Sequence, residues 1–190
     1  MNTLRHTDAG YARKLDCLCT ASSLFDPKIE AGARVIVERV AAKGDAALIE
    51  FAKKFDGAKL TTKTLRVSES ELAAAEQGVN TKLKRAIRFA LRNISQFHKH
   101  GLRKGWSGRN AQGAKVGEKF DPFGRVGVYI PGGTAPLMST ALMTVTLAKV
   151  AKCREIVVCT PCGKDGSVNP GLLHAAKMAG ATEVYRVGGA

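Results

Sequence analysis

The sequence predicts an α/β chain in which a helical amino-terminal region is followed by a βαβαβ unit on a parallel sheet. Two observations carry that prediction. Three short apolar runs, Val126 to Ile130, Glu155 to Thr160 and Val184 to Val187, alternate with two stretches of helical character, Leu137 to Val150 and Gly171 to Ala179. Strands separated by helices of that length are joined by crossover connections and lie parallel. Upstream of residue 105, apolar residues recur three and four apart, the spacing of one helix face.

The elements follow in order. The first 25 residues read as a polar arm without a strong period. A helix is expected from Asp26, an acceptor at the N-cap, with Pro27 at the first helical position, where its missing N–H costs nothing. Ile29, Ala33, Ile36, Val37 and Val40 form its expected buried stripe. Lys43-Gly44-Asp45 breaks that helix and caps another, with Ala47, Leu48, Phe51 and Phe55 facing inward, and Asp56-Gly57 closes it. Thr64 to Val67 reads as a short strand. Ser68 with Glu71 is a capping-box pattern for a helix starting near Glu69. A long basic helix follows and ends around Gly101, with Leu83, Ile87, Leu91, Ile94 and Phe97 as its apolar stripe. Gly105 to Gly117 reads as a loop or hairpin. Asp121-Pro122-Phe123-Gly124 is the turn into the βαβαβ unit and the expected domain boundary. The expected divisions are thus an arm over 1–25, a helix-rich part over 26–120 and a sheet-containing part over 126–190.

Composition limits the function classes. No segment approaches the roughly 18 uninterrupted apolar residues that span a bilayer. The amino terminus lacks the apolar block of a secretory signal. Five cysteines without framework spacing fit a reducing compartment, so the cytoplasm is expected. The formal net charge is +14, with Lys82, Lys84, Arg85, Arg88, Arg92, Lys99, Arg103 and Lys104 concentrated on and just beyond one helix. Such a face can meet phosphates without reading sequence, so a basic nucleic-acid-binding module is one alternative. The solvated outer face of a core-packing helix is the favoured reading, because aromatic residues that stack on bases are scarce.

The candidate chemistry lies at the end of the first parallel strand. Tyr129-Ile130-Pro131-Gly132-Gly133-Thr134 joins that strand to the helix that Pro136 begins. Backbone N–H groups bared by paired glycines beside a helix N-terminus suit an anionic group such as a pyrophosphate. Gly127 sits inside the strand, so the G-x-G-x-x-G dinucleotide fingerprint is absent, and a purely geometric tight turn is the competing reading. Cys159-Thr160-Pro161-Cys162 is a C-x-x-C, but Gly163-Lys164-Asp165-Gly166 forces a loop before any helix, against a redox pair at a helix N-terminus. Cys17, Cys19 and His6 match no tetrahedral zinc spacing. His6, His98, His100 and His174 are scattered, His174 on a helix and facing solvent in this reading. None is placed as a general base, so no catalytic residue and no metal ligand is assigned.

Several blocks carry a family resemblance. VGVYIPGGTAPLMSTALM, AKVAKCREIVVCTP and AAKMAGATEVYRVGGA resemble the corresponding run of histidinol dehydrogenases. GDAALIEFAKKFDG (Gly44 to Gly57) and AIRFALRNISQFHKH (Ala86 to His100) resemble that family's amino-terminal half, in the same order. The resemblance covers the chain from about Asp26 onward. It implies an incomplete Rossmann-like lobe, the cofactor NAD, and a cofactor contact at Tyr129. It further implies two successive oxidations that take the substrate L-histidinol through an aldehyde to L-histidine, in histidine biosynthesis. The zinc of a homodimeric family enzyme, with its ligands and general base, is expected outside these 190 residues. This makes the chain an amino-terminal portion, ending after a strand at Gly188-Gly189-Ala190, and inactive alone. Glu118 departs from the glutamine often found at that position in the family. A paralogous NAD-dependent dehydrogenase of another small alcohol is therefore the second alternative.

Overall fold

The computed structural model describes residues 3–20, 26–132 and 136–188, and the chain divides into two compact units, residues 1–44 and 45–190. In the first unit, α1 (Tyr11–Thr20) forms within the segment expected to be an arm. Half of its residues are strong helix formers and none is proline or glycine, and the Asp8 carbonyl accepts the Tyr11 N–H at its start. The missing period is explained by exposure: Leu15 and Leu18 are both on the surface, so no buried stripe marks the helix.

α2 (Pro27–Lys43) begins as the sequence predicts. The Asp26 carboxylate accepts the Lys28 N–H at 2.8 Å, Pro27 occupies the first turn, and Gly44 ends the helix at φ +54°. Its expected buried stripe is not realised: no residue of α2 is buried, and Ile29 and Val37 are exposed. Apolar spacing records a capacity to pack, and here that capacity is unused.

The second unit opens with α3 (Asp45–Phe51), which continues into a π-helical turn, Ala52–Asp56, closed by Gly57 in the left-handed conformation. Ala47, Phe51 and Ala52 are buried, but Phe55, expected inward, is 46% exposed. A π turn adds a residue to the helical repeat and rotates the next side chains off the buried face. Phe55 instead stacks on Phe51 with ring centroids 5.6 Å apart. The expected strand at Thr64–Val67 is a single antiparallel bridge, Arg66 to Tyr185. It is flanked by Val67 N–H to the Val184 carbonyl at 2.9 Å and Arg186 N–H to the Leu65 carbonyl at 2.8 Å.

α4 (Glu69–Gly78) carries the predicted capping box between Ser68 and Glu71. α5 (Thr81–His100) is capped by the Asn80 side chain, which accepts the Leu83 N–H at 2.8 Å. Along its stripe Ile87 is buried, and Leu83, Leu91 and Ile94 are partly buried against the core. Phe97, expected on that stripe, is 75% exposed because it lies in the last turn, past the neighbours that cover Ile87. Lys82, Arg85, Arg88 and Arg92 are solvent-exposed. The glycine-rich stretch after α5 is a hairpin of β1 (Trp106–Arg109) and β2 (Lys115–Glu118), turned at Gly113 with φ +82°.

β3 (Arg125–Tyr129), α6 (Met138–Val150), β4 (Glu155–Thr160), α7 (Pro170–Ala179) and β5 (Glu183–Arg186) form the predicted βαβαβ unit. The strands are parallel in the order β3-β4-β5. Val126, Val128 and Ile130 join Ile156, Val158 and Val184 in one core cluster with α6 and α7, so both crossover helices cover the same sheet face. α4 and α5 add Leu72, Ala75 and Ile87 to that cluster, a second helical layer outside the first. On the other sheet face, Arg125 pairs with Glu155 and Glu183 across all three strands.

Candidate functional site

Parallel sheets gather their loop ends at the carboxyl edge, where α/β proteins bind ligands. Here that edge is drawn together by one residue. Pro161, directly after β4, lies against Gly132 on the β3 exit and Gly188 on the β5 exit. A Cβ on Gly132 would stand 2.4 Å from Pro161 Cγ, and one on Gly188 would stand 2.4 Å from Pro161 Cβ. Both glycines are therefore required by close approach.

Next to this junction is a cleft of about 500 Å³, lined among others by Gly132, Pro136, Thr160, Gly163, Ser167 and Asn169. Its floor at the end of β4 holds Thr160, 1% exposed, whose hydroxyl finds no hydrogen-bond partner among the described residues. Buried hydroxyls are normally bonded, which sets this one apart. At the start of α7 the Asn169 side chain accepts the Gly171 and Leu172 N–H groups at 2.9 and 3.2 Å. Those two donors are already satisfied and do not form an anion site by themselves.

Tyr129 ends β3. Strand alternation turns it away from the helix-covered face, into register with Cys159 and, beyond it, Tyr185. It is 53% exposed and stands open at the edge. The backbone on either side of the glycine pair is only partly visible: Gly133 and Thr134, expected to bare N–H groups toward an anion, lie outside the described residues, as do Gly189 and Ala190.

The remaining candidates sort clearly. Cys159 and Cys162 are free and half-buried, and burial pushes both thiols up, the neighbouring Asp56 adding to the effect at Cys162. A redox C-x-x-C needs a lowered thiol. No group of three His, Cys, Asp or Glu side chains among the described residues is placed to hold a metal ion. His174 contradicts its solvent-facing expectation: it is 3% exposed, and neither ring nitrogen has a partner among the described residues. α7 is sandwiched between the sheet and α4 and α5, so nearly all its faces are buried. The apolar run GLLHAAKMA, without a polar stripe, carried that signal.

Two further residues were not singled out in the sequence. Asp56 has a buried carboxylate oxygen without a hydrogen-bond partner among the described residues, beside Gly188, and burial raises its pKa. Arg186, at the end of β5, is buried by bonds to three separate segments. No local motif announces either residue, because each acquires its role from distant partners.

A parallel βαβαβ unit with a double helical layer on one face, and a cleft at its carboxyl edge, defines an α/β segment of the kind whose sheet edge commonly binds ligands. Comparison with known proteins names its family. The family model described as histidinol dehydrogenase matches residues 20–190. The histidinol dehydrogenase of Symbiobacterium thermophilum is 45% identical over 166 residues, which are 87% of this chain and 38% of that protein. That of a Synechococcus species is 48% identical over 161 residues, 85% of this chain and 37% of that protein. The crystal structure of histidinol dehydrogenase from Elizabethkingia anophelis superposes with a TM-score of 0.78 at 36% identity, covering 84% of this chain and 36% of that one. The chain belongs to the histidinol dehydrogenase family, and it spans well under half the length of these relatives. No helix among its described residues is long and apolar enough to cross a membrane.

Proposed function

We propose that this chain supplies the amino-terminal, cofactor-facing part of a cytoplasmic NAD-dependent histidinol dehydrogenase, which oxidises L-histidinol through the aldehyde to L-histidine. The observation that carries the proposal is the cleft at the carboxyl edge of the sheet, the edge at which the exposed Tyr129 also ends β3, in a chain of this family. NAD fits the residues present. Thr160, whose hydroxyl has no hydrogen-bond partner among the described residues, lines the cleft, and Tyr129, outside that lining, offers an exposed aromatic face with a hydroxyl tip at the same carboxyl edge. NAD when bound supplies the hydride acceptor. The chain's own part is to orient it: Pro161 fixes the exits of all three strands, and Tyr129 stacks on or hydrogen-bonds the cofactor. Zinc does not fit the described residues, and its ligands belong with the rest of the family enzyme, a homodimer in this reading.

The test is Tyr129→Ala in a full-length family enzyme carrying this segment. The apparent KM for NAD should rise about tenfold, while that for histidinol stays within about twofold, since a cofactor contact is removed and no substrate contact is. An unchanged NAD constant in a folded variant would reduce Tyr129 to part of a structural turn. Assay against other small amino alcohols decides between histidinol and the substrate of a paralogue.

A further inference from the structure

Among the described residues Arg186 is the only buried lysine or arginine, 5% exposed in a chain that carries 30 such residues. A buried cation persists only when its donors are satisfied and its charge is met. Arg186 meets both conditions by bridging three segments distant in sequence. Its Nε donates to the Gly166 carbonyl at 2.6 Å. Its Nη1 donates to the carbonyls of Thr64 and Arg66 at 2.9 and 3.1 Å. Its Nη2 pairs with the Glu71 carboxylate, which also accepts the Ser68 N–H at 2.8 Å in the capping box of α4.

The bond to Gly166 reaches the cleft without Arg186 lining it. Gly166 lies in the β4–α7 loop, where its N–H donates to the Gly163 carbonyl and the Gly163 N–H donates to the Ser167 carbonyl, both at 2.8 Å. The Asp165 carboxylate ties the same turn to Ser167. The turn is therefore braced internally, and two of its residues, Gly163 and Ser167, line the cleft. Gly166 holds φ +81°, a conformation in which its carbonyl is presented to Arg186 at little steric cost.

We infer that Arg186 is a positioning residue for the cofactor cleft, clamping the Gly163–Ser167 turn to α4 and to the 64–66 segment so that the wall stands at the distance the cofactor needs. The inference rests on the reading of this cleft as the NAD site. A planar fork with donors in fixed directions suits the task, whereas lysine offers a single ammonium that can keep Glu71 but not all the carbonyls.

The experiment compares Arg186→Met and Arg186→Lys in a full-length family enzyme, with Ile87→Ala as a destabilised control at a buried core side chain that does not line the cleft. NAD affinity is measured directly by calorimetry alongside steady-state kinetics with histidinol. Arg186→Met should weaken NAD binding and raise its KM about tenfold, with the histidinol KM and saturated kcat within about threefold. Arg186→Lys should fall between it and the parent, and Ile87→Ala should lower the thermal midpoint without moving the NAD constant. If Arg186→Met does not fold, the lysine variant decides: an NAD constant equal to the parent's overturns the inference. Equal shifts in Ile87→Ala and Arg186→Met also overturn it, since both then act through stability. A parent enzyme with no saturable NAD binding removes the cofactor reading itself, an outcome distinct from a normal parent with an unresponsive Arg186.

Discussion

His174 shows how strongly environment outweighs residue type. Its imidazole lies between α7 and the outer helices, both nitrogens without a partner among the described residues, and burial holds its pKa below the usual histidine range. Glu76 on α4 opposes that shift, while Lys84 and Arg88 on α5 and Lys177 on α7 reinforce it. Linkage sets the sign. Above the ordinary value near 6.5 the ring is neutral in folded and unfolded chains and contributes nothing to pH dependence. As pH falls through that value the unfolded chain takes the proton first, and stability declines until the lower folded-state value is passed. Unfolding midpoints measured from about pH 7.5 to about pH 5 should therefore fall for the parent and fall less for His174→Leu. Parallel slopes would mean that His174 is not the group responsible. Pro161 makes the complementary point about small residues. Gly132→Ala places a methyl 2.4 Å from its ring and should cost about 1–3 kcal/mol of stability, read as a lower thermal midpoint, because a rigid ring cannot swing aside.

Among the elements, those with strong local signals were legible and those that depend on partners were not. Asp26-Pro27 and Ser68 with Glu71 announce their helix starts because capping is settled within four residues. β4 announces itself as a short apolar run, Ile156, Val157 and Val158, all three buried. The π turn at Ala52–Asp56 had no such marker, and it put Phe55 outside. The α2 stripe had the right period and no cover. At the carboxyl edge, the end of β3 at Tyr129 was legible from the apolar run that precedes the glycine turn, whereas Arg186 was hidden because its partners lie up to 122 residues away. α5 supports a prediction of its own. Its Lys82, Arg85, Arg88 and Arg92 are exposed, consistent with a solvated face. Reversing Arg85, Arg88 and Arg92 to glutamate should move stability by no more than about 0.5 kcal/mol per site and leave the NAD constant unaltered. Micromolar, salt-sensitive oligonucleotide binding by the parent, lost in that variant, would instead mark α5 as a phosphate-binding face.

At the scale of the whole molecule, the question is whether these 190 residues suffice for chemistry. Val35 and Val37 in the first unit, and Phe89, Phe97 and Phe123 in the second, are large apolar side chains left in solvent. Single exposed residues are ordinary, but this many on a chain of this size leave apolar surface that favours association. The outer edge of β3 has no strand partner among the described residues, and an open edge is a template for pairing. The site is similarly partial: among the described residues it has a cleft and an exposed tyrosine, but no metal cluster and no histidine at the cleft to take protons from an alcohol. The isolated chain should therefore form no NADH from histidinol, with or without added zinc. It should bind a dye that reports exposed apolar surface, and sediment as more than a monomer. Co-expression with the remaining part of a family enzyme should reduce dye binding and restore turnover together, because the same partner surfaces cover the apolar groups and complete the site. A monomeric 190-residue chain that melts cooperatively and reduces NAD with histidinol would refute the expectation and place the full catalytic apparatus within the chain.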